Sequence, residues 1–340
     1  MRNLFLLSVA VLSLSSFTAS EHTTEPAAAA PRVDKIEGGL RCVGYLTSWD
    51  YDNVFDRLDW AALTHINVGW CNPDKEGNLS MGWDDRTFAK VIERAHENGV
   101  KVMPSVRDGD PALFATAQSR SAFVGKILAY IEKYDLDGFD IDLEKSEPDF
   151  WTNYEAFIVE LRGEFDKRDL VLSTAVSTWF SDNITDATFA CFDFINIMAY
   201  DLGRPNHSTF EGMKRMAEHY RDARGIPAER IVCGVPFYGY NKATPETNFR
   251  DYKKYFELIA AAGVEAANNP AAERDESTVD GNVYAYNGRP TMARKCEFAR
   301  DWGGVMIWSL AYDTTDEYSL LKVIRETLFE SGAAPRPVAN

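Results

Sequence analysis

Apolar residues recur along the chain as short runs, and the stretches between these runs carry apolar positions at helical spacing. Short apolar runs are typical of buried strands, whereas apolar positions that repeat at helical spacing are typical of amphipathic helices. The pattern predicts strands at residues 40–48, 61–70, 100–106, 137–144, 170–176, 192–199, 230–238 and 304–310. It predicts helices at residues 84–99, 119–134, 148–167, 210–223, 249–262, 289–301 and 317–329.

Eight strands that alternate with helices favour an α/β fold in the form of a single-domain (β/α)8 TIM barrel. A doubly wound open sheet is the alternative. The count of eight, and a final helix that would close the ring, favour the barrel. No break in composition marks a second domain, so the barrel is predicted to occupy residues 39–331.

The two ends of the chain differ in composition from the rest. Residues 1–20 start with a basic residue, continue as a short apolar run and finish in small residues, which is typical of a secretory signal peptide. Residues 21–38 predict a flexible linker, and the Ala- and Pro-rich residues 332–340 predict a disordered tail. We therefore expect a secreted or periplasmic protein without an integral membrane span.

Acidic residues outnumber basic ones, 52 against 36, and the formal net charge is -16. This charge argues against nucleic acid or an anionic membrane as the partner, whereas an uncharged polymer would not be repelled. The five cysteines have no zinc-type spacing, and the five histidines are scattered along the chain. We therefore expect no metal site, no cofactor and no disulfide framework.

The segment 137–144 is unusual for a buried strand because acidic residues alternate in it with apolar ones. As a strand, it places Asp140, Asp142 and Glu144 on one face and apolar side chains on the other. Burial of an ionised carboxylate without a partner is costly or forces it to hold a proton, which suits a site that delivers protons. The alternatives are a solvated edge strand and a calcium site, although the apolar face argues against a calcium loop.

Aromatic and polar residues gather where the predicted strands end. In a (β/α)8 barrel the active site lies at the carboxyl ends of the strands, so these side chains are predicted to share one rim. Aromatic faces stack on the apolar faces of sugar rings, and several such platforms around a carboxylate indicate a carbohydrate ligand. The residues are Tyr45, Trp49, Trp70, Ser105, Glu144, Tyr200, Asp201, Tyr238 and Trp308.

Four segments match one known pattern: Val43-Gly44-Tyr45, Asp137-x-x-Asp140-x-Asp142-x-Glu144, Ile197-Met198-Ala199-Tyr200-Asp201 and Gly303-Gly304-Val305-Met306-Ile307-Trp308. Together they resemble the first, fourth, sixth and eighth strands of glycoside hydrolase family 18, the chitinase family. The resemblance covers residues 40–330. The acidic pattern alone is moderately specific, and in register with the sixth and eighth strands it is strong.

The resemblance implies a retaining, substrate-assisted hydrolysis in which the N-acetyl group of the substrate is the nucleophile. It makes Glu144 the general acid and base and Asp142 the residue that positions the acetamido group. Asp140 would share a proton with Asp142. We expect the neighbouring like charges to raise the pKa of Glu144. Asp137, outside the inward-facing positions, is expected to support the start of the strand.

The resemblance also implies contacts with the sugar. Tyr200 would donate a hydrogen bond to the acetamido oxygen, and Asp201 would contact the sugar on the leaving-group side. Trp308 would form the floor under the reacting sugar, with Met198 packed beneath it. The other residues predicted to bind the substrate are Tyr45, Trp49, Trp70, Ser105 and Tyr238.

The sequence departs from the family pattern in two places. The third-strand motif Ser-x-Gly-Gly is replaced by Ser105-Val106-Arg107-Asp108, so larger side chains stand where the family has glycines. Some members carry an inserted α+β domain after the seventh strand, whereas residues 240–283 are short and show no strand-rich insert. We therefore expect a shallow, open cleft.

The leading functional hypothesis is a monomeric hydrolase of chitin or chito-oligosaccharides. An endo-β-N-acetylglucosaminidase that cuts the chitobiose core of N-glycans is an alternative with the same mechanism, although Tyr200 in the sixth-strand motif favours the chitinase. An inactive chitin-binding lectin is an alternative of another class. Such members commonly lose the terminal acid of the signature, and Glu144 is present.

Overall fold

The computed structural model describes residues 39–330, apart from residues 50, 204–205, 246–247, 249 and 263–268. The predicted signal peptide, the linker and the C-terminal tail lie outside the described residues. The described residues belong to the part of the chain predicted to form the barrel.

The core of the fold is a closed barrel of eight parallel strands, which confirms the predicted architecture. Strands that are neighbours along the chain pair with each other, and the last strand closes the ring on the first, with Gly304 opposite Arg41. Each predicted strand overlaps one observed strand. The strands are β1 (Arg41–Thr47), β2 (His65–Gly69), β3 (Lys101–Val106), β4 (Gly138–Ile141), β5 (Val171–Val176), β6 (Phe194–Ile197), β7 (Ile231–Pro236) and β8 (Gly304–Trp308).

Helices surround the barrel, and the first shows why they form where they do. Asp84 caps its N-terminus by accepting a hydrogen bond from Thr87 N at 3.0 Å.

 Gly99 follows the helix with a φ of 67°, a left-handed conformation that glycine adopts without strain. The helices are α1 (Asp85–Glu97), α2 (Ala117–Tyr134), α3 (Tyr154–Asp166), α4 (Asp186–Ala190), α5 (Phe210–Asp222), α6 (Tyr255–Ala261), α7 (Arg289–Ala299) and α8 (Leu320–Arg325).

The helical segments on either side of β5 differ from the prediction. The predicted helix 148–167 is divided into a short 3-10 turn, Pro148–Trp151, and α3, because Asn153 between them has a φ of 66°. Helix α4 was not predicted, since five residues are too few to show a helical period.

A small antiparallel sheet between β7 and α7 contradicts the predicted absence of strands there. Asp280 and Gly281, with φ values of 51° and 78°, form the two-residue turn of a hairpin within it. The segment 249–262, predicted as one helix, supplies a strand followed by α6. In sheet order the four strands are Tyr252–Lys254, Tyr238–Asn241, Asn282–Ala285 and Glu276–Val279.

The described residues include no helix that is long and apolar enough to cross a membrane. They also include no group of three or more His, Cys, Asp or Glu residues placed to hold a metal ion. The five cysteines are all described and carry free thiols, at Cys42, Cys71, Cys191, Cys233 and Cys296.

Candidate active site

A cleft of about 710 Å³ opens at the carboxyl ends of the barrel strands. This end of a (β/α)8 barrel carries the active site in enzymes with the fold. The cleft brings together side chains from the ends of β1, β4, β6 and β8 and from the segment after β7. The predicted site residues that line it are Trp49, Glu144, Met198, Tyr200, Asp201, Tyr238 and Trp308.

Asp140 lies inside the barrel and accepts hydrogen bonds from four neighbouring strands. Tyr45 Oη and Ser105 Oγ each donate to its Oδ2 at 2.7 Å. Ser173 Oγ donates to Oδ1, and Asn196 Nδ2 donates to the same atom at 3.4 Å. Burial raises the pKa of Asp140 above its ordinary value, and these donors oppose the rise because they stabilise the charged form.

Asp142 differs from Asp140 in its hydrogen bonding. Its Oδ1 is buried and has no hydrogen-bond partner among the described residues. Burial, followed by the charges of Glu144 and Asp140, raises the pKa of Asp142 well above its ordinary value. Of the two aspartates, Asp140 therefore has more hydrogen bonds that stabilise its charged form, whereas burial and the neighbouring charges favour the protonated form of Asp142 more strongly.

Glu144 lies at the cleft, partly buried, with a raised pKa. Burial is the largest cause of the rise, and the charge of Asp201 adds to it, while Arg107 opposes it. The expectation that like charges of the acidic strand cause the rise is therefore corrected, since burial comes first. A carboxyl with a raised pKa retains its proton closer to neutral pH, as a general acid requires.

Three residues predicted to bind the substrate lie behind the cleft surface instead. Tyr45 and Ser105 are buried, and their hydroxyl groups donate to Asp140. Trp70 stacks against Trp308, with ring centroids 5.7 Å apart and planes inclined by 21°. The reason is their depth in the barrel, where Tyr45 and Ser105 support the carboxylate and Trp70 supports the ring of Trp308.

Asp201 follows β6 in a left-handed conformation, with a φ of 57°. Tyr238 Oη donates to its Oδ1 at 2.7 Å, and His207 Nδ1 lies 3.3 Å from the same atom. Burial raises the pKa of Asp201, but hydrogen bonds from His207 and Tyr238 outweigh burial and leave the pKa below its ordinary value. Asp201 is therefore an ionised carboxylate at the cleft, and His207 is a site residue that the sequence analysis missed.

The cleft also has lining residues that the sequence analysis did not assign to it. Tyr240 and Tyr252 belong to the small sheet, and the Tyr238 ring lies 5.6 Å from each of their rings. This wall removes the basis for the expected shallow, open cleft. Two missed residues, Ser177 and Trp179, directly follow β5, so the rule that site residues follow the barrel strands could have identified them. The missed residues are Arg107, Ser177, Trp179, Tyr240, Tyr252 and Tyr312.

Arg107 and Asp108, which replace the family's glycines, are held in place by their neighbours. Their backbone N–H groups donate to Asn72 Oδ1 at 3.1 and 3.0 Å. Lys145 Nζ lies 2.7 Å from Asp108 Oδ1. The Arg107 guanidinium carbon lies 5.3 Å from the centroid of the Trp70 ring, a cation–π contact.

Asp137 supports the start of β4, as expected. Its Oδ2 accepts a hydrogen bond from Val102 N at 2.8 Å and lies 2.8 Å from His96 Nε2. These contacts tie β4 to β3 and α1 at the opposite end of the barrel from the cleft.

Comparison with known proteins places the chain in a family. The model of glycosyl hydrolases family 18 matches residues 41–313. The chain belongs to this family. The match confirms the resemblance drawn from the acidic strand and the motifs on the sixth and eighth strands.

Two solved family 18 relatives cover nearly the whole of the barrel. The chitinase ChiB from the chitin utilization locus of Flavobacterium johnsoniae is 34% identical, with a TM-score of 0.74, and the match covers 86% of this chain and 94% of that one. A chitinase from Bacteroides thetaiotaomicron is 27% identical, with a TM-score of 0.75, and the match covers 88% of this chain and 99% of that one.

Curated relatives in the family include longer proteins. Probable chitinase 10 of Drosophila melanogaster is 24% identical over 387 residues, which are 88% of this chain and 16% of the relative. A chitinase-like effector of Moniliophthora roreri is 28% identical over 243 residues, which are 60% of this chain and 59% of the relative. The chain therefore spans less than two thirds of the length of these relatives.

Proposed function

We propose that the protein hydrolyses β-1,4-linked N-acetylglucosamine, as chitin or chito-oligosaccharides, with Glu144 as general acid and base. The observation that carries the proposal is the position of Glu144, a carboxyl with a raised pKa in an aromatic-lined cleft beside the Asp140–Asp142 pair. The descriptions of the two solved relatives as chitinases support this substrate class.

In the first step, the Glu144 carboxyl donates its proton to the glycosidic oxygen. The bond between that oxygen and the anomeric carbon breaks, and the acetamido oxygen of the same sugar attacks the carbon to give an oxazolinium ion. Asp142 positions the acetamido group, and the negative charge of the Asp140–Asp142 pair stabilises the positive charge of the ion. Glu144 is left as a carboxylate.

In the second step, Glu144 accepts a proton from water while the water oxygen attacks the anomeric carbon. The bond from that carbon to the acetamido oxygen breaks, and Glu144 regains its proton. Each step inverts the anomeric carbon, so the product retains the configuration of the substrate.

Tyr200 is suited to orient the acetamido group. Burial raises the pKa of its hydroxyl, so the hydroxyl remains a donor. In the structure it contacts Met306 Sδ, a weak acceptor, at 3.7 Å. A carbonyl oxygen is a stronger acceptor, so Tyr200 would donate to the acetamido oxygen when the substrate binds.

The test compares wild type with Glu144→Gln on chitotetraose and on a high-mannose glycopeptide, with binding measured alongside hydrolysis. Loss of a general acid lowers the rate by about 10²–10⁴-fold. The variant should therefore still bind chitotetraose but cleave it at least about 100-fold more slowly than wild type. NMR of the reducing ends formed by wild type should show the β anomer first, because the mechanism retains the configuration of the β-linked substrate.

Each other outcome overturns a different part of the proposal. Cleavage of the glycopeptide alone would assign the protein to the enzymes that cut N-glycans. Binding of chitotetraose without cleavage by wild type would make it a lectin. Cleavage by Glu144→Gln at the wild-type rate would remove Glu144 from the mechanism.

A further inference from the structure

Arg107 is a cation on the surface of an acidic cleft. Its side chain is exposed and lines the cleft together with the carboxylates Glu144 and Asp201. The hydrogen bonds from its own backbone and that of Asp108 to Asn72 fix the start of the loop after β3. The guanidinium lies over Trp70, which in turn stacks on Trp308 in the cleft, so Arg107 is tied to the aromatic floor.

The charge of Arg107 reaches the reacting groups. It lowers the pKa of Asp142 and of Glu144 against the effect of burial, which raises both. The neighbouring cation Lys145 is paired with Asp108 at 2.7 Å and does not line the cleft. Arg107 is therefore the residue whose positive charge a bound sugar chain would meet beside Glu144.

Chitin occurs with some of its sugars deacetylated, and each such glucosamine unit carries an ammonium group when protonated. The net charge of -16 and the carboxylates of the cleft would attract such a chain. The Arg107 guanidinium, which lines the cleft together with Glu144, would repel the ammonium group locally while leaving an N-acetylated unit, which is neutral, unaffected.

We propose that Arg107 makes the cleft selective for charge on the leaving-group side, so that bonds followed there by a protonated glucosamine are cleaved less often than bonds followed by N-acetylglucosamine; the sugar that bears the anomeric carbon must be N-acetylated in either case, because its acetamido group is the nucleophile. The proposal rests on the proposed function, because it concerns which bonds of the same polymer are cut. It gives Arg107 a role in specificity, distinct from the proton transfer by Glu144.

The expected effect follows from Coulomb's law. For two unit charges about 7 Å apart, effective dielectric constants between about 80 and 20 give a discrimination of about 3- to 50-fold. Salt screens exposed charges beyond a Debye length of about 10 Å at 0.1 M, and about 3 Å at 1 M, so the discrimination should weaken as the salt concentration rises.

The experiment digests partially N-acetylated chitosan and identifies the sugars on both sides of each cleaved bond by NMR of the new chain ends. Wild type, Arg107→Gln, Arg107→Lys and Arg94→Gln are compared. Arg94, an exposed residue of α1 outside the cleft, is a matched control because its replacement changes the net charge equally. The readout is the ratio of cleavages with glucosamine to cleavages with N-acetylglucosamine on the leaving-group side, among bonds whose anomeric carbon belongs to an N-acetylated sugar. A change in the reactivity of Glu144 that is common to all bonds cancels in this ratio.

We expect this ratio to rise about 3- to 50-fold in Arg107→Gln, as the Coulomb estimate gives. It should stay at the wild-type value in Arg107→Lys and Arg94→Gln, and the difference should shrink at high salt. An unchanged ratio in Arg107→Gln would overturn the proposal. The proposal would also be overturned if Arg107→Lys behaved like Arg107→Gln, because the shape of the side chain and not its charge would then determine the ratio.

Failure of the proposed function has a separate signature. If wild type cleaves neither fully acetylated chitotetraose nor the polymer, the hydrolase proposal fails before charge selectivity is considered. If it cleaves chitotetraose and the ratio does not respond to Arg107→Gln, the function stands and the role of Arg107 is refuted.

Discussion

Replacement of Tyr45 by phenylalanine would remove one of the hydrogen bonds that stabilise the Asp140 carboxylate. The Tyr45 hydroxyl lies 2.7 Å from Asp140 Oδ2, and both residues are buried. Phenylalanine fills the same space apart from the hydroxyl group. With one donor fewer, the charged form of Asp140 is less stable, and its pKa, already raised by burial, rises further.

The size of the rise follows from the energy of the hydrogen bond. A hydrogen bond to a charged group contributes about 1.5–3 kcal/mol, and we use the lower limit because the donors Ser105, Ser173 and Asn196 remain. About 1.5 kcal/mol corresponds to a rise of about one pKa unit. The mechanism needs one negative charge on the Asp140–Asp142 pair, so the acidic limb of the pH profile should move up by about one unit.

The assay measures kcat/KM for chitotetraose against pH for wild type, Tyr45→Phe and Tyr220→Phe. Tyr220 is a matched control because it is also buried and its Oη donates to Ser181 Oγ at 3.0 Å. Neither of these two residues lines the cleft. Its profile should coincide with that of wild type. A folded, active Tyr45→Phe protein whose acidic limb does not move would refute the assigned role of the hydrogen bond.

Two further predictions concern stability, and urea unfolding checks both. A Cβ at position 138 would lie 2.1 Å from Val171 O, so Gly138→Ala should lower the free energy of unfolding by about 1–3 kcal/mol or more. Gly163 on α3 has open space around it, so Gly163→Ala should raise the free energy of unfolding by up to about 1 kcal/mol. Equal effects of the two substitutions would contradict this prediction. Burial lowers the pKa of Lys295 to about 7, so between that pH and about 10 the unfolded state binds more protons than the folded state. Over this range the free energy of unfolding of wild type should rise relative to that of Lys295→Met by up to about 1.4 kcal/mol per pH unit. A difference that does not vary with pH would contradict it.

The barrel could be predicted because the pattern that indicates it, short apolar runs separated by longer amphipathic stretches, is repeated along the chain. The predicted strands recur along the chain, and most of them are separated from the next by a predicted helix, so an error at one boundary does not change the topology. The acidic strand could be predicted for a related reason. Alternation in β4 places Asp140 inside the barrel, and the structure surrounds it with donors from β1, β3, β5 and β6.

The small sheet was missed because its strands are three or four residues long and show no sustained alternation. One local signal was present. Asp280-Gly281 is the dipeptide favoured in two-residue hairpin turns, and it separates two segments that pair in the structure. The missed sheet affected the view of the site, since Tyr240 and Tyr252 belong to it and line the cleft.

The roles of individual site residues depend on partners that are distant along the chain. Tyr45 and Asp140 are separated by 95 positions, and only the register of the barrel brings the hydroxyl to the carboxylate. Alternation indicates that a side chain faces the barrel interior, but the depth of the residue decides whether it meets the ligand or an acid beneath it. A residue one layer down, such as Tyr45 or Ser105, acts on the reaction through the charge of Asp140, so its substitution should change the pH dependence rather than the affinity for the sugar.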